Sequence, residues 1–195
     1  MIEQHVPIDR IQQWLKDAAD HPQIDEPTAI TVATASKDGM PSVRTVLLKG
    51  FDKTGIVFYT NAQSQKGQEL SINPQASILF YWMPLKRQIR ISGNVTPVIG
   101  EEADAYFASR RRGSQIGAHA SDQSAPLESF ETLMTRTKAL ETEFNGAEVP
   151  RPEHWHGWRV ALSQIEFWQE GDFRLHEREL YTNKGSGWEH TLLNP

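Results

Sequence analysis

The sequence contains no cysteine. Disulfides, thiolate metal sites and cysteine nucleophiles are therefore excluded. It also lacks an apolar run long enough to span a bilayer, so no membrane association is expected. The opening stretch MIEQHVPIDR has none of the apolar core that a secretory leader needs. Together with the missing cysteine, this suits a cytoplasmic location. There is no surplus of positive charge: 20 Lys and Arg face 25 Asp and Glu, a net charge of -5. That balance argues against a general nucleic-acid binder but leaves room for a local basic pocket. No G-x-G-x-x-G or Walker motif is present, so a Rossmann or P-loop nucleotide site is not expected. No nucleophile elbow supports a serine triad.

What is present suits one domain over residues 1–195 with a sizeable core. Ile11, Trp14, Leu15 and Ala18 fall at helical spacing and predict a helix over 8–20. Strand-rich segments follow at 29–36, 42–49, 56–61, 76–83 and 87–98, with a short helix at 64–72 between them. Helices are expected at 100–110 and 126–145. The stretches 158–168 and 173–182 read as a last strand pair joined by QEGD. Strands that succeed one another through short turns are antiparallel. The pattern is α+β, built on a closed or partly closed barrel with peripheral helices. EVPRPEHW looks most like a linker, yet the strands on both sides of it are expected to share one sheet.

Basic residues form four separate clusters on this acidic chain. Tyr106, Arg110 and Ser114 stand four apart, so a continuous helix would align a phenol, a guanidinium and a hydroxyl, unless Gly113 breaks it. That set is either a phosphate shell or a solvated helix end. Ser64 and Lys66 open the short helix, where a lysine opposes the dipole unless an anion binds there; an exposed lysine is the other reading. Arg44 and Lys49 end an apolar strand, on opposite faces if alternation is strict. In FRLHERELY, Arg174, His176 and Arg178 alternate, so a strand would carry all three on one face. His154 and His156 in HWHG share a face in an extended chain, but no third ligand completes a metal site. Basic donors interleaved with Tyr59, Tyr106 and Trp168 suit one or two phosphorylated planar molecules.

The ordered stretches RTVLLKGFD, GIVFYTNAQSQK, NPQASILFYW, RQIRISG, YFASR, GSQIGAHASDQS, PRPEHWHGWR, IEFW and RLHER resemble the pyridoxamine/pyridoxine 5′-phosphate oxidase family, from about residue 27 to 195. The resemblance implies an FMN-binding split barrel, used as a homodimer with active sites at the subunit interface. It implies oxidation of pyridoxamine or pyridoxine 5′-phosphate to pyridoxal 5′-phosphate, with O2 as acceptor and H2O2 as product. It places Arg44, Thr45, Val46, Leu47, Leu48 and Lys49 on an FMN-binding strand. Tyr59, Thr60, Lys66, Gln88, Gln123, Ser124, Trp168 and Arg178 match further flavin contacts. Lys49, Tyr106, Arg110 and Ser114 match the substrate-phosphate site. Arg174 and His176 match the catalytic pair that holds the substrate ring against the flavin. Two phosphorylated ligands would then offset the basic row around Arg174.

Four departures stand out. The N-terminal extension of relatives is nearly absent, Gln65 replaces a frequent arginine, Arg111 replaces a proline, and Leu192 replaces an arginine. Two other functions fit the same motifs: a phenazine-type oxidase of the same fold, and a non-catalytic FMN or pyridoxal-phosphate binder.

Overall fold

The fold is that of a computed structural model, which describes residues 6–195. Half of the stretch MIEQHVPIDR thus lies outside the described residues. Five helices and ten strands are present among those described: α1 (Val6–Ala19), β1 (Ala29–Ala35), β2 (Pro41–Leu47), β3 (Gly50–Asp52), β4 (Gly55–Asn61), α2 (Gln65–Ile72), β5 (Gln75–Trp82), β6 (Arg87–Val98), α3 (Glu101–Ser109), α4 (Arg112–Ala120), α5 (Phe130–Phe144), β7 (Trp155–Val160), β8 (Gln164–Gln169), β9 (Glu177–Asn183) and β10 (Trp188–Leu192).

All ten strands join one antiparallel sheet. Its main path runs β10-β9-β8-β6-β5-β1-β2, and β7 and β4 branch from β6. The 12-residue β6 makes the branch. Its first half pairs with β8, while Val95–Val98 pair with β7, which pairs in turn with β4. Gly93 sits where the partners change. A Cβ there would lie 1.9 Å from the Ala161 carbonyl oxygen, so only glycine lets the two backbones approach. Alternation sets the faces. In β5 the even residues Ala76, Ile78, Phe80 and Trp82 are buried, and they meet Phe58, Ile89, Ile91, Ile165 and Phe167 in one core. α1 closes that core with Ile11, Trp14 and Ala18. Trp14 meets Phe167 edge-on at 5.2 Å, and Arg10 ties the helix to Glu179 at 2.6 Å. A smaller cluster of Phe107, Ile116, Val149 and Trp155 lies under α3 and α4.

The antiparallel α+β barrel expected from the sequence is the architecture found. Several elements differ. The strand expected over 42–49 ends at Leu47, and Gly50–Asp52 pair separately with β4. Residues 158–168 are two strands with different neighbours, because the chain turns at Ala161–Ser163 to bond to Ser92 and Asn94. Helix α4 and strand β10 are additional to the expected elements. The break between α3 and α4 falls at Arg110–Arg111, while Gly113 lies inside α4. Arg174 and His176 are not on a strand. They sit in the β8–β9 connection, where Phe173 and Arg174 take left-handed φ values of 55° and 67°. The basic row of three on one strand face does not form, and only Arg178 lies on β9.

Candidate active site

β2 is the edge strand of the main path. Against it, the ends of β4, α2, α3 and α4 enclose a cleft of about 1260 Å³. Its lining includes Arg44, Thr45, Val46, Leu47, Lys49, Tyr59, Thr60, Lys66, Tyr106, Arg110, Ser114, Gln123 and Ser124. Five cations line it (Arg44, Lys49, Lys66, Arg110 and Arg111) against one acid, Glu26. Arg44 and Lys49 both reach this cleft despite the strict alternation expected. β2 has ended before Lys49, whose amide instead donates to the Val57 carbonyl.

Lys66 is buried in the first turn of α2. Ser64 caps that helix by accepting from the Gly67 amide. The Lys66 ammonium donates to Thr60 Oγ1 at 2.9 Å, Gln123 Oε1 at 3.0 Å and Ser64 Oγ at 3.1 Å. All three are neutral oxygens, and Lys66 forms no ion pair among the described residues. Burial, and then the nearby Arg44 charge, bring its pKa down to about 8. A buried cation at the positive end of a helix is stabilised by an anion close by.

Arg44 is held from behind. Its Nη2 donates to Ser42 Oγ at 2.6 Å and lies 3.4 Å from Glu69 Oε2. Glu69 is buried and also accepts from Thr34, from Ser42 at 2.6 Å and from Gln65 at 2.9 Å. Burial pushes its carboxyl up, but the bonds from Ser42, Thr34 and Gln65, with the Arg44 charge, hold it below the usual range. Gln65 therefore spends its amide on Glu69. Leu48 packs its side chain on the core and gives its amide to the Thr28 carbonyl, so it is not part of the lining.

A second anion-seeking group lies across the cleft. Arg110 makes no side-chain hydrogen bond among the described residues, and its Nη1 is buried without a partner. Its guanidinium rests on Trp155, 4.5 Å from the ring centre. Burial lowers its pKa as well. Tyr59 stacks on Tyr106 at 4.1 Å and on Trp155 at 5.4 Å. Sequence reasoning missed Trp155. HWHG was weighed only as a metal site and set aside for want of a third ligand; His154 and His156 turn a ring nitrogen to the carbonyls of Ala118 and Gly157. The tryptophan between them is the residue that lines the cleft. Glu69 and Ser42 were missed too: Glu69 acts beneath the lining, and Ser42 lines the cleft beside Arg44.

The remaining expected residues gather elsewhere. Gln88, Trp168 and Arg178 form one cross-strand row on β6, β8 and β9. His176 tilts against Trp168 at 4.7 Å, and Arg178 Nε donates to the buried Glu166 at 2.8 Å. Arg174 is exposed in the adjoining turn. Four strand steps along the sheet separate β8 from β2, about 19 Å at the usual spacing. One protomer does not bring this cluster to the cleft.

The sequence profile of the pyridoxamine 5′-phosphate oxidase family matches residues 17–144. That of the pyridoxine 5′-phosphate oxidase C-terminal dimerisation region matches residues 155–195. The chain belongs to this family. A pyridoxine/pyridoxamine 5′-phosphate oxidase of Gluconobacter oxydans is 50% identical over 182 residues, 93% of this chain and 90% of that protein. One of Caulobacter vibrioides is 48% identical over 195 residues, 100% of this chain and 87% of that protein. Among solved structures, PhzG of Burkholderia lata 383, in complex with tetrahydrophenazine-1-carboxylic acid, superposes with a TM-score of 0.91 at 34% identity. That likeness covers 97% of this chain and 92% of the other. A pyridoxamine 5′-phosphate oxidase-related, FMN-binding protein of Nostoc punctiforme shares the fold with a TM-score of 0.77 at 16% identity, over 96% of each chain. Among the described residues, no helix is long and apolar enough to cross a membrane.

Proposed function

We propose that this family member is an FMN-dependent oxidase that converts pyridoxamine and pyridoxine 5′-phosphate to pyridoxal 5′-phosphate. The observation that carries this reading is one cleft with two inward-facing cations, Lys66 and Arg110, neither with an anionic partner among the described residues. Two such groups fit two phosphorylated ligands. The curated relatives at about half identity are named for this activity.

Lys66, with Thr60 and Gln123, would hold the FMN phosphate at the start of α2. Arg44, braced by Glu69, would add charge beside it. Thr45, Val46 and Leu47 lie on an edge strand, and the open side of such a backbone suits the donors and acceptors of a flavin ring. Ser124 and Tyr59 border the same space. Arg110, Tyr106, Ser114 and Lys49 would take the substrate phosphate. FMN, when bound, supplies a two-electron hydride acceptor that O2 restores with release of H2O2. The protein's part would be placement: Lys66 and Arg110 would each hold one phosphate and so orient the two ligands in one cleft. With pyridoxamine phosphate the oxidised product is an imine, which water hydrolyses to the aldehyde and ammonia.

Gln88, Trp168, Arg174, His176 and Arg178 would act on the cleft of a second protomer in a homodimer. The distance along the sheet supports this reading, as does the match of residues 155–195 to a dimerisation region. Arg174 would cover the substrate ring with its planar guanidinium, and His176 would be oriented by Trp168. Residues 1–195 would work as one domain, since both matched regions contribute strands to the same sheet.

The likeness to PhzG favours a second reading, an oxidase acting on a planar carboxylic acid. The visible spectrum of the purified protein, followed during anaerobic addition of each substrate, separates the two. Flavin bleaching by pyridoxamine phosphate supports the proposal. Bleaching by tetrahydrophenazine-1-carboxylic acid alone, or a protein that never takes up FMN, defeats it.

A further inference from the structure

Arg110 is an unusual anchor. An arginine that recognises phosphate is ordinarily aimed by hydrogen bonds from the protein, and this one has none from its side chain among the described residues. Aromatic faces hold it instead: Trp155 at 4.5 Å from the guanidinium carbon and Phe107 at 5.4 Å. Trp155 is itself fixed. It is 5% exposed, begins β7 opposite Asn61, and packs with Phe107, Ile116 and Val149. Its amide donates to the Pro152 carbonyl, and its own carbonyl accepts from Arg151 at 2.8 Å. The same indole also stacks on Tyr59, and Tyr59 on Tyr106, with planes within 18° of parallel.

We infer that Trp155 is a positioning residue for the substrate's phosphate, and that its indole face, by aiming Arg110, sets the preference for phosphorylated over unphosphorylated substrate. The inference rests on the reading of Arg110 as the substrate-phosphate anchor. Such a contact constrains the guanidinium plane without spending any of its N–H groups on a hydrogen bond to the protein. A hydrogen-bonding brace would use some of those N–H groups. Loss of the face leaves the charge in the cleft but frees its direction, so the effect falls on binding of the anion and not on the chemical step.

The test compares Trp155→Leu, Trp155→Phe and Arg110→Ala as FMN-loaded proteins. It measures kcat and KM for pyridoxine 5′-phosphate and for pyridoxine, and the Kd of pyridoxal 5′-phosphate by equilibrium dialysis. Trp155→Leu is expected to raise KM and Kd for the phosphorylated compounds about three- to thirtyfold. Its kcat should stay within about twofold, and its kcat/KM should fall less for pyridoxine than for pyridoxine 5′-phosphate, so that the preference for the phosphorylated substrate narrows. Trp155→Phe keeps an aromatic face and should recover most of the loss. If Arg110→Ala raises KM and Trp155→Leu does not, the inference falls while the reading of Arg110 stands. If Arg110→Ala also leaves KM unchanged, that reading falls and the inference with it. A parallel loss with pyridoxine would make Trp155 a merely structural residue and overturn the inference. Should Trp155→Leu not fold, the smaller rise expected of Trp155→Phe, in KM alone, decides the matter.

Discussion

On the reading of Lys66 as the anchor of the FMN phosphate, its own protonation would couple to cofactor binding. Its pKa in the ligand-free fold is about 8, below the ordinary 10.5, with burial the main cause. The charged form is the one that binds an anion. FMN affinity is therefore expected to hold below about pH 8 and to weaken above it, by up to about tenfold per pH unit for a single proton. The stability of the ligand-free protein should move the other way. Between about pH 8 and 10.5 the unfolded chain holds the proton that the folded one has released, so stability rises with pH across that window. Fluorescence titration of FMN from pH 7 to 10 checks the first statement, and Lys66→Ala should abolish the dependence. The two anchors should also separate. Lys66→Ala is expected to weaken FMN, and Arg110→Ala to raise substrate KM while the protein stays yellow. Each effect should be about ten- to a hundredfold, as for loss of one charge-assisted hydrogen bond. An Arg110→Ala protein that loses flavin at unchanged KM would contradict the assignment.

At the scale of elements, β7 and β4 set the cleft wall. Gly157 faces Tyr59 across the pair, and a Cβ there would lie 2.8 Å from the Tyr59 ring and 3.0 Å from Val98. Gly157→Ala must push the Tyr59–Tyr106–Trp155 stack aside. A loss of about 1–3 kcal/mol in stability is expected, with a raised KM for the phosphorylated substrate. Thermal unfolding and steady-state kinetics read the two effects. None of this was visible in the sequence, where Gly157 is one letter of HWHG. What could be read there followed from local rules. The alternating burial of β5 and the Ser64 cap of α2 are inscribed in neighbouring residues. The placement of Lys66 and Arg110 in one cleft rested on the ordered family motifs, for spacing alone left both open. Relations set by distant partners were hidden. β2 stops at Leu47 because the next residues pair with β4, and Arg174 leaves the strand because the turn closes through the Leu175 amide on the Asp172 carbonyl. Glu69 was unremarkable in sequence, since its role lies in reaching back to Thr34 and Ser42.

For the whole molecule, the separation of the two clusters bears on the proposed assembly. One face of the sheet presents Val43, Tyr81 and, just beyond β5, Met83, which are 67%, 55% and 69% exposed, and the row Gln88–Trp168–Arg178 adjoins them. A two-fold partner would cover this face and carry the second cluster of each chain to the cleft of the other. Mixed dimers test that arrangement directly. Arg110→Ala damages the cleft and Arg174→Ala the second cluster, and each alone is expected to leave little activity at a substrate concentration near the wild-type KM. If the sites are shared, a heterodimer of the two variants has one site carrying both changes and one carrying neither. Random reassociation makes half of the dimers heterodimers, each with one intact site of two, so the mixture should recover about a quarter of the wild-type activity. If each chain instead completes its own site, every site in the mixture carries one change and nothing is recovered. Activity measured before and after the two variants are unfolded and refolded together distinguishes these outcomes, and size-exclusion chromatography of the mixture confirms that dimers have re-formed.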